Sequence, residues 1–231
     1  MDYIVKSLRD IFYNVPKFSD KWDRYFDVYE RHLEKFRGKN ITFLEVGVQF
    51  GGSLEMWSEY FGPETKIYGI DIDPNCANLV YDNPNIKIII GDQSSKEFWD
   101  QTLKEIGSID VMIEDGGHTM EQQIISFEKA FPMISSGGVY VCEDTHTSYW
   151  GIDEYGTNFG GGYKNMASFV EYSKNYADVL HYNYMKNGHG QIAQKNSISK
   201  GLSGVSFYDS MIVFEKEPRV EMVRVNSKRI V

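Results

Sequence analysis

The chain has 231 residues, enough for one well-cored domain and short for two, with 42% hydrophobic and 25% charged residues. Its formal net charge of −9 argues against a general nucleic-acid binder, whose affinity comes from neutralising phosphates with Lys and Arg, and against an anionic membrane surface. No apolar run approaches a membrane span and no signal-peptide pattern opens the chain; Cys76 and Cys142, without CxxC spacing, read as reduced thiols of a cytoplasmic protein.

Residues 1–40 read as helical and amphipathic, an N-terminal segment packed on a core domain that runs from 41 to 231. Trp22, Tyr25, Phe26, Tyr29, Leu33 and Phe36 recur at three- and four-residue spacing, and Gly38 stops the pattern. The rhythm then changes. Ile41–Gly47, Lys66–Asp73, Ile86–Asp92, Ile109–Gly116 and Gly137–Asp144 read as strands, with helices near 53–61, 74–81, 95–106 and 119–133. Ser94 with Glu97 and Thr119 with Gln122 fit capping boxes, and Pro74 suits a first helical position after Asp73. Strands separated by helices predict an α/β, doubly wound, Rossmann-like sheet, mostly parallel and covered on both faces. A helix near 164–178 precedes the runs His181–Lys186 and Ser206–Lys216, which read as an antiparallel edge pair joined by a polar loop at 187–204. A loop of that length is functional or partly disordered.

In open α/β sheets the ligand lies beyond the carboxyl ends of the strands. The first strand delivers "LEVGVQFGGS", with Glu45, Gly47, Gly51, Gly52 and Ser53. These glycines let backbone approach a ligand closely, in a GxxxGG pattern and not the GxGxxG dinucleotide fingerprint. The second delivers "YGIDIDP", where Asp71 or Asp73 can accept from ribose hydroxyls. The third delivers "GDQSS", where Asp92 and Gln93 can bond an adenine edge. Asp73 and Asp92 read equally well, taken singly, as helix caps; three polar strand ends in register point to a nucleoside. No Lys or Arg sits in the glycine loop for a polyphosphate. A sulfonium nucleoside would prefer the Glu45 carboxylate, which points to S-adenosylmethionine.

The fourth and fifth strands deliver Asp115 with His118, inside "IEDGGHTMEQQ", and Glu143 with Asp144. Three carboxylates at one place repel each other unless a cation joins them. Oxygen ligands suit Mg²⁺, Ca²⁺ or Mn²⁺. Such an ion could hold two vicinal hydroxyls and lower the pKa of the reacting one. His118, one short turn from Asp115, then suits a general base, with Gly116 and Gly117 leaving room between the two. The plainer alternative makes His118 a helix-start residue and Glu143 and Asp144 solvated loop carboxylates.

"LEVGVQFGGSLEMW", "YGIDIDP", "GDQSS", "DVMIEDGGHT" and "GGVYVCEDTHTSYW" together resemble class I S-adenosylmethionine-dependent methyltransferases over about residues 41–150. More narrowly they resemble the metal-dependent macrolide-sugar O-methyltransferases of the mycinamicin and macrocin type. The DxxH plus ED combination is the most specific part. The resemblance implies that Glu45, Gly47, Gly51 and Ser53 bind the cofactor around its methionine part, that Asp71 holds ribose, and that Asp92 and Gln93 lie near adenine. It implies Asp115, Glu143 and Asp144 as ligands of Mg²⁺ (or Mn²⁺) and His118 as general base. It also implies a seven-stranded sheet with a reversed last strand and a homo-oligomer; the match does not fix the acceptor, for which a sugar hydroxyl on a glycoside, lipid-linked or nucleotide-linked sugar is the expectation. The forty N-terminal residues are too few for the extra domain of larger members. Tyr149, Trp150, Tyr155 and Phe159 could stack on a sugar as a lid, or pack on protein.

Three rival readings remain. A non-haem iron hydroxylase would use Asp115, His118 and His146 as two histidines and a carboxylate, but has no need of a nucleoside pocket. An NAD-dependent oxidoreductase would need different glycine spacing. A catalytically silent nucleoside binder on the same scaffold would not need the Asp115–His118–Glu143–Asp144 set.

Overall fold

The computed structural model describes residues 6–186, 198–220, 223–225 and 227. In chain order, α1 (Leu8–Phe12) and α2 (Tyr25–Leu33) precede β1 (Thr42–Val46), α3 (Gly52–Phe61), β2 (Lys66–Asp71), β3 (Ile86–Ile90), α4 (Lys96–Ile106) and β4 (Ile109–Glu114). Then follow α5 (Met120–Ala130), β5 (Ile134–Cys142), α6 (Phe169–Lys174), α7 (Tyr176–His181), β6 (Leu202–Tyr208) and β7 (Met211–Lys216). The strands form one seven-stranded sheet in the order β3-β2-β1-β4-β5-β7-β6. β1 to β5 pair in parallel, and β7 runs antiparallel to both β5 and β6. This is the Rossmann-like sheet with one reversed strand that the motifs imply.

Alternation along the strands supplies two cores. Phe43, Val111, Ile113, Val139 and Val213 face α1, α2 and α3, where Trp57 stacks on Phe61 at 5.6 Å between centroids. Leu44, Met112, Tyr140, Ile212 and Phe214 face α4 to α7, with Phe127 and Phe214 centroids 4.3 Å apart. Thr119 and Gln122 form the expected capping box of α5, and Asp73 caps the turn that Pro74 opens.

Several local expectations are corrected. Residues 1–40 are not continuously helical: an irregular strap, 13–24, separates α1 from α2. Trp22 lies in that strap and is 62% exposed, while Tyr25, Phe26, Tyr29, Leu33 and Phe36 are buried. Residues 74–81 form only a 3-10 turn, Pro74–Asn78. The cap of α4 is Ser95, because Ser94 bonds back to Asp92 instead. Residues 164–178 hold two short helices rather than one. His181–Lys186 is not a strand: α7 runs through His181 and a 3-10 turn, Tyr182–Tyr184, follows. The edge pair is the hairpin β6–β7, turning at Asp209 and Ser210, where Ser210 has φ 60°. Most of the expected 187–204 loop, 187–197, lies outside the described residues.

The strand order reverses between β1 and β4, so a crevice opens at their carboxyl ends. There the Asp115 N–H donates to Val46 O at 3.0 Å and the Gly47 N–H to Ile70 O at 2.8 Å. The approach is so close that a Cβ on Gly47, at φ +94°, would stand 1.9 Å from the Asp115 carbonyl oxygen. Gly47→Ala should therefore cost on the order of 1–3 kcal/mol from backbone strain alone, and more from the clash. Urea unfolding measures it; wild-type stability in that variant would contradict the close approach of β1 and β4.

Candidate active site

Two cavities open at the carboxyl end of the sheet and meet at Asp115, His118 and Asp144. The first, about 420 Å³, runs over the ends of β1, β2 and β3 past Gly47, Asp71, Asp92 and Gln93. The second, about 350 Å³, lies under Trp22, Tyr25, His146, Trp150 and Phe159. The strap 13–24 roofs both, with Lys21 on the boundary. The strap is pinned to the start of α3: the Gly52 N–H donates to Phe18 O at 3.2 Å, and the Lys17 N–H to Glu55 Oε2 at 3.0 Å.

Behind the first cavity, which Ser53 lines, Glu45 is fully buried and accepts from Ser53 Oγ at 2.6 Å and Trp57 Nε1 at 3.3 Å. Gly51, at φ +85°, is the left-handed cap of α3. Asp71 Oδ2 accepts from the Val48 and Gln49 amides, so this carboxylate also shapes the glycine loop it faces. Asp92 Oδ1 accepts from the Ser94 amide and hydroxyl. Gln93 is tied into the neighbouring loop: it donates to Glu114 Oε1 at 2.7 Å and accepts from the Gly117 N–H at 2.9 Å.

The β4 and β5 ends bring the acidic set together. Asp144 Oδ2 is 3.5 Å and Asp115 Oδ1 4.0 Å from His118 Nε2. One ligand atom from each of Asp115, His118 and Asp144 lies within 4.8 Å of the others, a geometry able to hold a metal ion. His118 and Asp144 take left-handed backbone, φ 59° and 50°, which is uncommon for residues other than glycine and clusters at functional sites. His118 Nδ1 is buried with no hydrogen-bond partner among the described residues.

Glu143 is placed differently from Asp115 and Asp144. It is buried, Tyr29 donates to its Oε1, and Lys21 donates to its Oε2 at 3.0 Å. The Lys21 ammonium also binds Asp115 Oδ2 and lies 3.7 Å from Glu45 Oε1. Burial alone would push the Lys21 ammonium down, but Asp115, Glu143 and Glu45 together lift it well above its usual value. Burial and then repulsion from Asp115 push Glu143 up well beyond the carboxylate range, despite Lys21 and Tyr29; burial also raises Glu45. One ammonium thus serves three carboxylates, and the site is short of positive charge. Oxygen donors in that state suit a hard divalent cation.

Nothing in the sequence singled out Lys21, a lysine in an aromatic-rich stretch with no spacing that points to a strand end. Trp22, Tyr25 and Tyr29 read there only as core. Glu114 was missed too; it is fully buried, accepting from Gln93 and the Cys142 thiol. Of the aromatic lid residues expected from the sequence, Trp150 and Phe159 line the second cavity, while Tyr149 and Tyr155 lie outside it and are exposed. Both cysteines are free and buried, and no helix among the described residues is long and apolar enough to cross a membrane.

Residues 44–145 match a family described as a methyltransferase domain. The chain is 32% identical over 208 residues to an 8-demethyl-8-alpha-L-rhamnosyl tetracenomycin-C 2'-O-methyltransferase of Streptomyces olivaceus, covering 86% of this chain and 52% of that one. It is 38% identical over 129 residues to the mycinamicin VI 2''-O-methyltransferase of Micromonospora griseorubida, covering 53% and 31%. Among solved structures it is similar to the MycE methyltransferase from the mycinamycin biosynthetic pathway in complex with Mg, SAH and mycinamycin VI. That likeness has a TM-score of 0.75 and 28% identity over 92% of this chain and 54% of that chain. The chain spans about half, or less, of the length of these relatives.

Removing Lys21 would leave the Glu143 carboxylate and its neighbours without a counter-charge. Lys21→Met should destabilise the fold by about 3–5 kcal/mol, the usual effect of deleting one partner of a buried pair. Denaturant unfolding checks this; a loss below about 1 kcal/mol would mean that the carboxylates find another cation.

Proposed function

We propose that this chain, whose residues 44–145 match a methyltransferase domain, is an S-adenosylmethionine-dependent O-methyltransferase of the macrolide-sugar type to which it is similar, and that it methylates a hydroxyl of a sugar or glycosylated small molecule, with a divalent ion assisting and His118 as general base. The observation that carries the reading is the meeting of two cavities at Asp115, His118 and Asp144. The first suits the methyl donor: Gly47 and Ser53 in its lining, with Glu45 and Gly51 behind them, would serve the methionine part, Asp71 the ribose, and Asp92 and Gln93 the adenine. The second suits the acceptor, with Trp150, Phe159 and Trp22 offering apolar faces to a sugar ring and the carboxylates facing its hydroxyls.

In the transfer the acceptor oxygen attacks the sulfonium methyl carbon. A C–O bond forms, the S–CH₃ bond breaks with its electron pair going to sulfur, and S-adenosylhomocysteine leaves. The hydroxyl proton goes to His118, whose Nε2 faces the junction of the cavities. Asp115 and Asp144 would hold Mg²⁺ (or Mn²⁺), with the buried Glu143 beside them, its oxygens on Lys21 and Tyr29. Such an ion, when bound, lowers the pKa of the reacting hydroxyl. The room that Gly116 and Gly117 were expected to leave between Asp115 and His118 is used otherwise: a Cβ on Gly116 would stand 1.8 Å from Gln93 Oε1 and one on Gly117 2.3 Å from Gln122 Oε1, so the two glycines accommodate glutamine side chains.

The iron hydroxylase reading is less favoured, because the close set contains one histidine: His146 Nδ1 pairs with Ser210 Oγ and is 3.9 Å from Asp144 Oδ1. A cytoplasmic place of action, a homo-oligomeric state and the lack of a nucleic-acid partner belong to the same proposal. The acidic net charge of −9 supports the last of these.

Two measurements test the reading. S-adenosylmethionine or S-adenosylhomocysteine at about one hundred times its dissociation constant should stabilise the fold by roughly 2.7 kcal/mol in thermal unfolding, and NAD should not; no shift with either adenosyl ligand would overturn it. His118→Ala should keep adenosyl-ligand binding and lose roughly 10²–10⁴-fold in methyl transfer, measured on glycosylated acceptors. Wild-type turnover in that variant would remove His118 as the base.

A further inference from the structure

The residues that aim the acidic set come from outside the sheet. Asp115 uses Oδ2 for Lys21 and turns Oδ1 to His118. Asp144 divides its oxygens in the same way. Its Oδ1 accepts from Trp22 Nε1 at 3.1 Å and from the Tyr25 hydroxyl at 2.7 Å, and its Oδ2 turns to His118. The Tyr25 oxygen also accepts from the Asp144 backbone N–H at 3.1 Å. One hydroxyl therefore grips both ends of a residue held in left-handed backbone at φ 50°. Tyr25 further lies 3.0 Å from Ser210 Oγ, in the β6–β7 turn that also meets His146.

We propose that the N-terminal stretch Lys21–Tyr25 is the positioning element of the ion site, in which Tyr25, aided by Trp22, orients Asp144 so that one of its oxygens points at the place where Asp115 and His118 converge. This rests on the ion-assisted reading given above. Without the two donors, Asp144 Oδ1 loses its partners and the carboxylate is free to rotate about its side-chain bonds. The Asp144 backbone N–H also loses its partner, while Thr147 Oγ1 still donates to the Asp144 carbonyl at 2.9 Å. Partners of this kind fix ligand direction and set affinity without touching the ion. The N-terminal segment is thus a working part of the site as well as packing on the core.

The test reads ion binding alone. Mn²⁺ is titrated into the full chain with S-adenosylhomocysteine present and no acceptor, free Mn²⁺ being followed by electron paramagnetic resonance. Tyr25→Phe, which keeps the ring and removes the hydroxyl, should weaken Mn²⁺ binding about 10–100-fold and leave the S-adenosylhomocysteine dissociation constant within about threefold of wild type. Trp22→Phe should move Mn²⁺ affinity in the same direction. It is the second variant if Tyr25→Phe fails to fold, because Trp22 is exposed and outside any helix. A merely structural role would lower unfolding temperature and both affinities together. Wild-type Mn²⁺ affinity in the folded variants overturns the positioning role. Absence of Mn²⁺ binding by the wild-type chain overturns instead the ion-assisted reading beneath it.

Discussion

A single ammonium group holds the functional end of this molecule together. Lys21 reaches from a strap outside the sheet into the place where β1, β4 and β5 end, and three carboxylates close around it. Taking such charges out of water is expensive, and their mutual attraction repays it only when the geometry is good and other hydrogen bonds complete the set. Here Tyr29, Ser53 and Trp57 supply those bonds. The strap has few apolar anchors of its own, and Phe18 and Trp22 are exposed. Charge, helped by Lys17 on Glu55, is what fastens it over the two cavities.

The parallel core was legible because its signals are local. The apolar runs at 42–46, 66–71, 86–90 and 109–114 carry strand character within their own few residues, and Thr119 with Gln122 announces α5 wherever it folds. The C-terminal part was less legible. His181–Lys186 alternates like a strand, yet Tyr176, Val179 and Leu180 pack as a helical face against the α4 to α7 core, and tertiary packing decided the conformation. Ser206–Lys216 read as one long run because its turn, Asp209–Ser210, contains no glycine or proline.

The site divides along the same line. Glu45, Asp71, Asp115, Glu143 and Asp144 stand at strand ends, so the strand pattern itself placed them near one another. Lys21, Trp22 and Tyr25 reach the same spot from 94 to 122 residues away in sequence, through contacts that no periodicity encodes. Tyr25 and Tyr29 were visible as members of an aromatic stripe, but their hydroxyls were not. The same spacing describes a buried ring whether or not its polar end finds a carboxylate.

The two left-handed residues at the junction, His118 and Asp144, bear on how such a protein changes over generations. After glycine, short polar side chains, asparagine and aspartate above all, take this conformation at least cost. An asparagine at either position would satisfy the backbone while removing a charge or an imidazole. On the proposed reading, an inert relative would lie one substitution away from such an enzyme, at a position whose backbone asparagine already suits. In a lineage of such chains, overall likeness of shape would persist long after turnover had gone, and the identity of residues 118 and 144 would record the change.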